Sequence, residues 1–378
     1  MKGHIRKRGK TWAIVLELPR DDWGKRRQKW VSGFDTKKDA EKALHRMVHE
    51  LDSGSYIEST KTTVAQWADT WLADYAKHRV KSTTFERYLI YMDKVKEELG
   101  NIQLQKLTGP KIQAVYTKWH DQYAPSTIRQ FHAVLRMCME QALMEGLIPR
   151  NPCAHVKPPA LNESRSRALD MKEVPALLDA AKGSPIRGPI LMALLTGLRR
   201  GEVLGLRWED VDLESGVLVV NRQLVLVSNK VELVEPKSRS AHRYITLPTL
   251  LVLELRATRK TQSERKLFMG NRWGNEWDLV FAREDGSPIN PTYLSVEFKR
   301  VVERAGLRPI RFHDLRHTQA TLLLAAGENL KVVQERMGHA NSNITLDTYT
   351  HVVNGAQRAT ADKLDSMFAN AFAEGASR

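Results

Sequence analysis

The sequence predicts a multidomain chain. A small β-sheet plus helix N-terminal module leads into an all-α domain and then a mixed α+β domain. Three observations carry this reading. Short polar and apolar alternations fill the chain up to about residue 33. Apolar residues then recur at helical spacing from Val64 onward. After a proline-rich break, both periods occur together. At 378 residues the chain is long enough for two or three domains.

The first module reads as three strands, HIRKRG, TWAIVLEL and RRQKWVSGF, with turns at Arg8-Gly9-Lys10 and Asp22-Trp23-Gly24. Asp35-Thr36 then opens a helix that closes near Gly54. Such a module is too small to bury a large core. Its strands carry Arg6, Lys7, Arg8, Lys10, Lys25, Arg26, Arg27 and Lys29, and the reading places this basic surface on one face. A two- or three-stranded sheet fits the DNA major groove. After a linker at 55–62, four helical patterns follow. Val64, Trp67, Trp71 and Leu72 mark the first; Ser82 or Thr83 caps the second. The third begins after Thr108-Gly109-Pro110 and the fourth at Pro125-Ser126. Their aromatics sit at core spacing and read as packing rather than base stacking. The stretch IPRNPCAHVKPPALNESRSR has four prolines and no periodicity, and reads as an interdomain linker. From Ala168, helices flank a Val- and Leu-rich segment, residues 216–247, that reads as three strands of one antiparallel sheet.

Composition is that of a globular protein, with 42% hydrophobic and 27% charged residues. No apolar run reaches the roughly 18 residues of a membrane span, and the basic N-terminus lacks a signal-peptide core. A cytoplasmic location with no membrane partner is expected. Cys138 and Cys153 have no Cys-x-x-Cys partner, which argues against a zinc site and a disulfide framework. The formal net charge of +15 points to a polyanionic partner.

Candidate chemistry concentrates in Arg311–His351. His313, Arg316 and His317 share one helical turn. Gly338-His339 and then Tyr349 follow. A second cluster, Thr196-Gly197-Leu198-Arg199-Arg200-Gly201-Glu202, precedes Leu206-Arg207-Trp208. A third is Lys237, in Glu235-Pro236-Lys237-Ser238, with Lys230 and Arg239 close by. Each alone has an ordinary reading: a solvated arginine, a packed tyrosine, a helix closed by Gly197.

Together these residues resemble the signature of the tyrosine recombinases, the phage-integrase family. The resemblance covers nearly the whole chain. It implies an arm-type DNA-binding module at 1–58, a helical core-binding domain at 63–155 and a catalytic domain at 165–378 with a C-terminal exchange helix. By the motif match, Arg199 and Arg316 are the catalytic arginines, Tyr349 the nucleophile, His313 the proton acceptor, Lys237 the acid, and His339 a phosphate ligand. Glu202 lies within reach to orient an arginine. Arg200 and Arg207 read as surface or DNA-backbone contacts, and His317 as a packing or orienting neighbour.

The chemistry suits these types. Guanidinium forks grip non-bridging phosphate oxygens in a bidentate manner. A tyrosine of ordinary pKa near 10 needs a base and a positive field. No metal or cofactor is expected, because no carboxylate cluster of the two-metal kind stands out. The resemblance implies double-stranded DNA attachment sites, core-type and arm-type, and a homotetramer on DNA. It leaves room for a DNA-bending protein and a directionality factor.

The implied activity is site-specific recombination through a 3′-phosphotyrosine and a Holliday junction. Three competitors stand beside it. A chromosome-dimer-resolving recombinase normally lacks the basic N-terminal module. A type IB topoisomerase acts as a monomer without synapsis. A non-enzymatic DNA-binding protein gives no reason for Arg199, His313, Arg316, His339 and Tyr349 to coexist. DNA affinity should fall linearly with salt on a log–log plot, with a slope near −0.9 per phosphate contacted. Titration of binding from low to moderate salt checks this, and a flat profile contradicts the basic-surface reading.

Overall fold

The computed structural model describes residues 3–20, 23–53, 56–161, 167–235 and 242–338, together with Leu364. The chain divides into two compact units, residues 1–163 and 164–378.

The first unit opens with strands β1 (Gly3–Arg8), β2 (Thr11–Leu18) and β3 (Arg27–Phe34) in one antiparallel sheet, order β1-β2-β3. Gly9 makes the β1–β2 turn at φ +64°, where a side chain would be strained. Helix α1 (Lys37–Asp52) follows, its first turn closed by the Thr36 hydroxyl accepting from the Asp39 N–H at 3.2 Å. Alternation turns Ile14 and Leu16 toward Ala40 and Ala43 of α1, and these four buried residues form the core between sheet and helix. The expected strands and helix are all present.

Helix α2 (Val64–Thr70) starts with a capping box between Thr63 and Gln66. It continues through a π-helical stretch (Trp71–Ala76) into α3 (Lys77–Arg79). Helix α4 (Ser82–Leu99) is capped one residue earlier than expected: extended Lys81 is the cap, and its carbonyl accepts from the Thr84 and Phe85 N–H groups. Helix α5 (Gly109–Trp119) takes Pro110 into its first turn, where the missing N–H costs no bond. Helix α6 (Pro125–Met144) does the same with Pro125.

These helices enclose Trp67, Trp71, Tyr116, Trp119 and Phe131, so the aromatics are packing residues, as their spacing suggested. The Trp67 indole donates to the Cys138 carbonyl at 3.0 Å, and the Tyr116 hydroxyl meets His132 Nδ1 at 3.0 Å. The proline-rich stretch departs from a free linker in its first half. Ile148, Cys153 and Val156 are buried in this helical core. Asn151 explains how: its amide donates to the Arg136 carbonyl at 3.1 Å and its oxygen accepts from the Cys153 N–H at 3.0 Å. Irregular backbone is thereby satisfied and its apolar side chains are free to pack. Cys138 and Cys153 are both free thiols, and both are buried.

The second unit begins with α7 (Glu173–Ala180), α8 (Arg187–Thr196) and α9 (Arg200–Leu204). Strands β4 (Val211–Asp212), β5 (Val217–Val220), β6 (Gln223–Val227), β7 (Lys230–Val234) and β8 (Arg243–Thr246) follow. The expected three-stranded sheet is here divided in two. One sheet has the order β4-β5-β8, and among the described residues β6 pairs only with β7, as a hairpin. The break falls at Asn221 and Arg222, whose side chains bond the Asp210 carboxylate at 2.9 and 3.2 Å and carry the chain away from the sheet. Ser228 and Asn229, both at positive φ, close the hairpin.

Helices α10 (Thr249–Met269), α11 (Pro291–Arg304), α12 (Asp314–Ala325) and α13 (Leu330–Met337) complete the described fold. Apolar α8 lies at the centre, with Ile190, Met192 and Ala193 fully buried, and α12 packs along it. No helix among the described residues is long and apolar enough to cross a membrane.

Trp119 packs in the helical core against Phe131 at 4.7 Å between ring centroids, and against Tyr116 and Tyr123. Trp119→Ala should therefore cost roughly 3–5 kcal/mol of folding stability. Urea unfolding of wild type and variant measures it, and a loss under about 1 kcal/mol would show that this cluster is not the domain's core.

Candidate active site

Two helix ends meet in the second unit. Helix α8 stops at Gly197, which takes a left-handed φ of +69°. A Cβ there would displace the Met337 methyl and the Gln319 side-chain oxygen, and the left-handed backbone itself strains any side chain, so glycine is favoured. Two residues later the extended Arg199 caps α9. The Glu202 carboxylate reaches back to it, accepting from the Arg199 N–H at 2.9 Å and from Nη1 at 2.8 Å. Glu202 is only 3% exposed. Burial would raise its pKa, but the neighbouring Arg243 and then Arg199 outweigh this and hold it below the usual carboxylate range. The expected orienting role of Glu202 toward an arginine has this geometry.

The second helix end is α13, closed by Gly338 at φ +63°. Arg199 Nη2 donates to the Gly338 carbonyl at 3.3 Å. Arg316, 2% exposed, donates to the Gly197 carbonyl at 2.6 Å and to the Met337 carbonyl. Arg199 and Arg316, far apart in sequence, thus converge on one loop-and-helix junction. Arg199 keeps 36% of its side-chain surface exposed, so of the two it is the one presented to solvent.

Helix α12 carries the rest. His313 caps it, and Asp314 accepts from the Arg311 N–H at 2.8 Å and its Nη2 at 3.0 Å, which ties down the approach to the helix. The His313 and His317 rings lie 5.2 Å apart and almost perpendicular. His313 keeps solvent access, yet the crowding around its ring, followed by His317 and Arg316, pushes its pKa down from 6.5 to about 4. At neutral pH it is an uncharged imidazole able to accept a proton. A cleft of about 890 Å³ opens beside His313 and Arg199, with Phe298, Ile310 and Phe312 in its apolar wall.

Lys237, His339 and Tyr349 lie outside the described residues. Arg200 is exposed and bonds Ser295 Oγ at 2.6 Å. Arg207 is a correction to the surface reading: it is half-buried, with Nε on the Trp277 carbonyl at 2.7 Å and Nη1 on Glu209 at 2.6 Å. Through these two partners it braces the fold.

In the N-terminal module the basic residues do not share one face. The pairing of Arg6 with Ala13 and of Val15 with Trp30 puts Arg6 and Arg8 on the face away from α1, with half-exposed Trp30. Lys7 shares the side of Ile5, and Arg27 and Lys29 share the side of Leu18 and Leu16. There Arg27 pairs with Glu58 at 2.8 Å, and Lys29 lies 5.7 Å over the Tyr56 ring. Arg26 grips Glu17 through two bonds. Lys10 and Lys25 are exposed in turns. Strand alternation is the reason for the split, since successive side chains point to opposite faces.

Sequence reasoning missed Arg243, which is 8% exposed and bonded to Glu202. A signal was available. In HRYITL, Arg243 alternates with Tyr244 and shares the inward phase of Ile245 and Leu247, where a charged residue needs a partner.

The model of the phage integrase family matches residues 167–355. A tyrosine recombinase XerC-like protein of Caldanaerobacter subterraneus subsp. tengcongensis is 30% identical, covering 96% of this chain and 98% of the relative. This chain belongs to the phage integrase family. As a member it is a tyrosine-type site-specific DNA recombinase. The models of an arm DNA-binding domain and of the phage-integrase N-terminal SAM-like domain match 4–51 and 63–120. An integrase of Saccharopolyspora erythraea is 25% identical over 94% of each chain. Among solved structures, the Tn1549 transposon integrase in complex with a circular intermediate DNA aligns with a TM-score of 0.67 at 21% identity, covering 80% of this chain and 99% of that one. A lambda integrase tetramer bound to a Holliday junction aligns at 0.58 and 20%, covering 92% and 94%. At these identities the likeness is one of fold.

The depressed His313 pKa has a consequence for stability. Between pH 6.5 and about 4 the unfolded chain takes up a proton on His313 that the folded site resists. Folding stability should therefore be intact above pH 6.5 and fall as pH drops through this window. His313→Gln should flatten that part of the profile. Denaturant midpoints measured from pH 7 to 4 check it, and identical slopes in both proteins would contradict the shift.

Proposed function

We propose that this recombinase integrates and excises a mobile DNA element by cutting and rejoining strands through a 3′-phosphotyrosine. The observation that carries the proposal is the convergence of Arg199 and Arg316 on the carbonyls of Gly338 and Met337, immediately before His339. Arg199, the exposed one of the two, would meet a non-bridging oxygen of a scissile phosphate, with the buried permanent charge of Arg316 behind it. Preorganised donors of this kind typically contribute ~10²–10³ in rate.

In this reading the Tyr349 oxygen attacks phosphorus and the 5′-oxygen leaves. His313, uncharged at neutral pH, accepts the tyrosine proton, and Lys237 protonates the leaving oxygen. His339 bonds the phosphate, and Glu202 holds Arg199. The phosphotyrosine keeps the bond energy, so the 5′-hydroxyl of another strand can reverse the step without ATP. Two such exchanges pass through a Holliday junction.

Residues 1–58 would bind arm-type sites, 63–155 core-type sites, and 165–378 would carry the chemistry and the exchange helix. Four copies would assemble on the paired DNA in the cytoplasm, with room for a DNA-bending protein and a directionality factor. The arm-domain match supports an element integrase over a chromosome-dimer-resolving enzyme.

Tyr349→Phe tests the assignment on a nicked suicide duplex that traps the covalent intermediate. The variant should bind DNA like wild type and form no adduct. Adducts that persist would place the nucleophile elsewhere.

A further inference from the structure

Glu202 serves two arginines. Arg199 occupies Oε1 at 2.8 Å. Arg243, at the start of β8, takes Oε2 at 2.8 Å and reaches Oε1 at 3.4 Å. Its Nε also donates to the Arg336 carbonyl at 2.8 Å. That carbonyl directly precedes those of Met337 and Gly338, which receive Arg316 and Arg199. The Arg243 side chain is 6% exposed and that of Glu202 3%. Its chain neighbours on the N-terminal side include the segment that carries Lys237.

We infer that Arg243 is a positioning residue for the recombination chemistry. It satisfies Glu202 so that the charge of Arg199 stays available to the phosphate, and it fixes the end of α13 against which both catalytic arginines rest. The electrostatic logic is direct. A buried carboxylate facing Arg199 alone would form a closed pair, and Arg199 would carry little net field toward a second anion. With Arg243 on the other oxygen, the three groups together keep one positive charge. That excess is on the exposed member, Arg199. The bond to the Arg336 carbonyl adds a geometric constraint, since a misplacement of about 1 Å in such a site costs on the order of 10²-fold in rate. Lysine cannot reproduce this role, because a point charge cannot bridge a carboxylate and a carbonyl with a planar fork.

The inference rests on the proposed role of Arg199, and the test separates the two. Full-length wild type, Arg243→Lys, Arg243→Met and Arg199→Ala are compared on a nicked duplex carrying the core to which wild type attaches. The duplex is made with either a phosphate or a neutral methylphosphonate at the scissile position. Single-turnover adduct formation, duplex affinity and melting temperature are measured.

Arg243→Lys should bind DNA within about threefold of wild type and lose roughly 10²-fold in adduct formation on the phosphate. On the methylphosphonate, which has no charge for Arg199 to meet, the deficit should shrink to a few-fold. Arg199→Ala should follow the same pattern. The double variant should lose less than the product of the single losses. Equal deficits on both linkages would make Arg243 a structural residue and overturn the inference. A Lys variant that is unfolded at the assay temperature, or as active as wild type, would do the same. If Arg199→Ala itself costs nothing on the phosphate, the reading of the site fails first.

Discussion

One buried guanidinium holds the second unit's site together. Arg316 sits where α8 and α13 both end, and it donates to a carbonyl of each, at Gly197 and Met337. Helix C-termini carry partial negative charge and unpaired carbonyls, so a buried cation at two of them satisfies both needs at once. Left-handed glycines, Gly197 and Gly338, close the two helices and free these carbonyls to point at Arg316. The Met337 side chain packs where any Cβ on Gly197 would lie. Helix packing, glycine geometry and the placement of charge are therefore a single arrangement, and none of the three can change alone.

Charge is handled differently in the N-terminal module. Its core is Ile14, Leu16, Ala40 and Ala43 with a ring of half-buried neighbours. A sheet this small cannot hide long side chains, so its cations are held at the surface by Glu17, Glu58 and the Tyr56 ring. Exposed pairs of this kind add little stability. They do restrict where the guanidinium and ammonium groups sit, and they leave the face of Arg6, Arg8 and Trp30 chemically distinct from the helix-backed side.

Much of this was legible in the sequence, for local reasons. Alternation gave β1 to β3, and helical spacing with Pro110 and Pro125 gave the helices of the first unit. The arginine boxes around Arg199 and Arg316 stood out because residue types and spacing coincided. The features that escaped depend on tertiary partners. Asp210 lies in a separate 3-10 turn, yet its bonds to Asn221 and Arg222 divide the strands into two sheets. Asn151 turns half of a proline-rich stretch into core by satisfying its backbone. Arg243 looked like part of a strand, because its meaning comes from Glu202 and Arg336, distant in the chain. Lys237, His339 and Tyr349 rest on the motif match and lie outside the described residues.

The two thiols of the helical domain have a practical consequence. Burial pushes Cys138 well above the ordinary thiol pKa and Cys153 up to about 12. Reactivity toward alkylating reagents requires an accessible thiolate, and neither cysteine offers one in the folded chain. The native protein is therefore a quiet background for site-specific labelling. A cysteine placed at exposed Lys230, on the β6–β7 hairpin, would take up a maleimide dye while the two native thiols stay untouched. DNA binding could then be followed by fluorescence without first rebuilding the helical core around cysteine replacements.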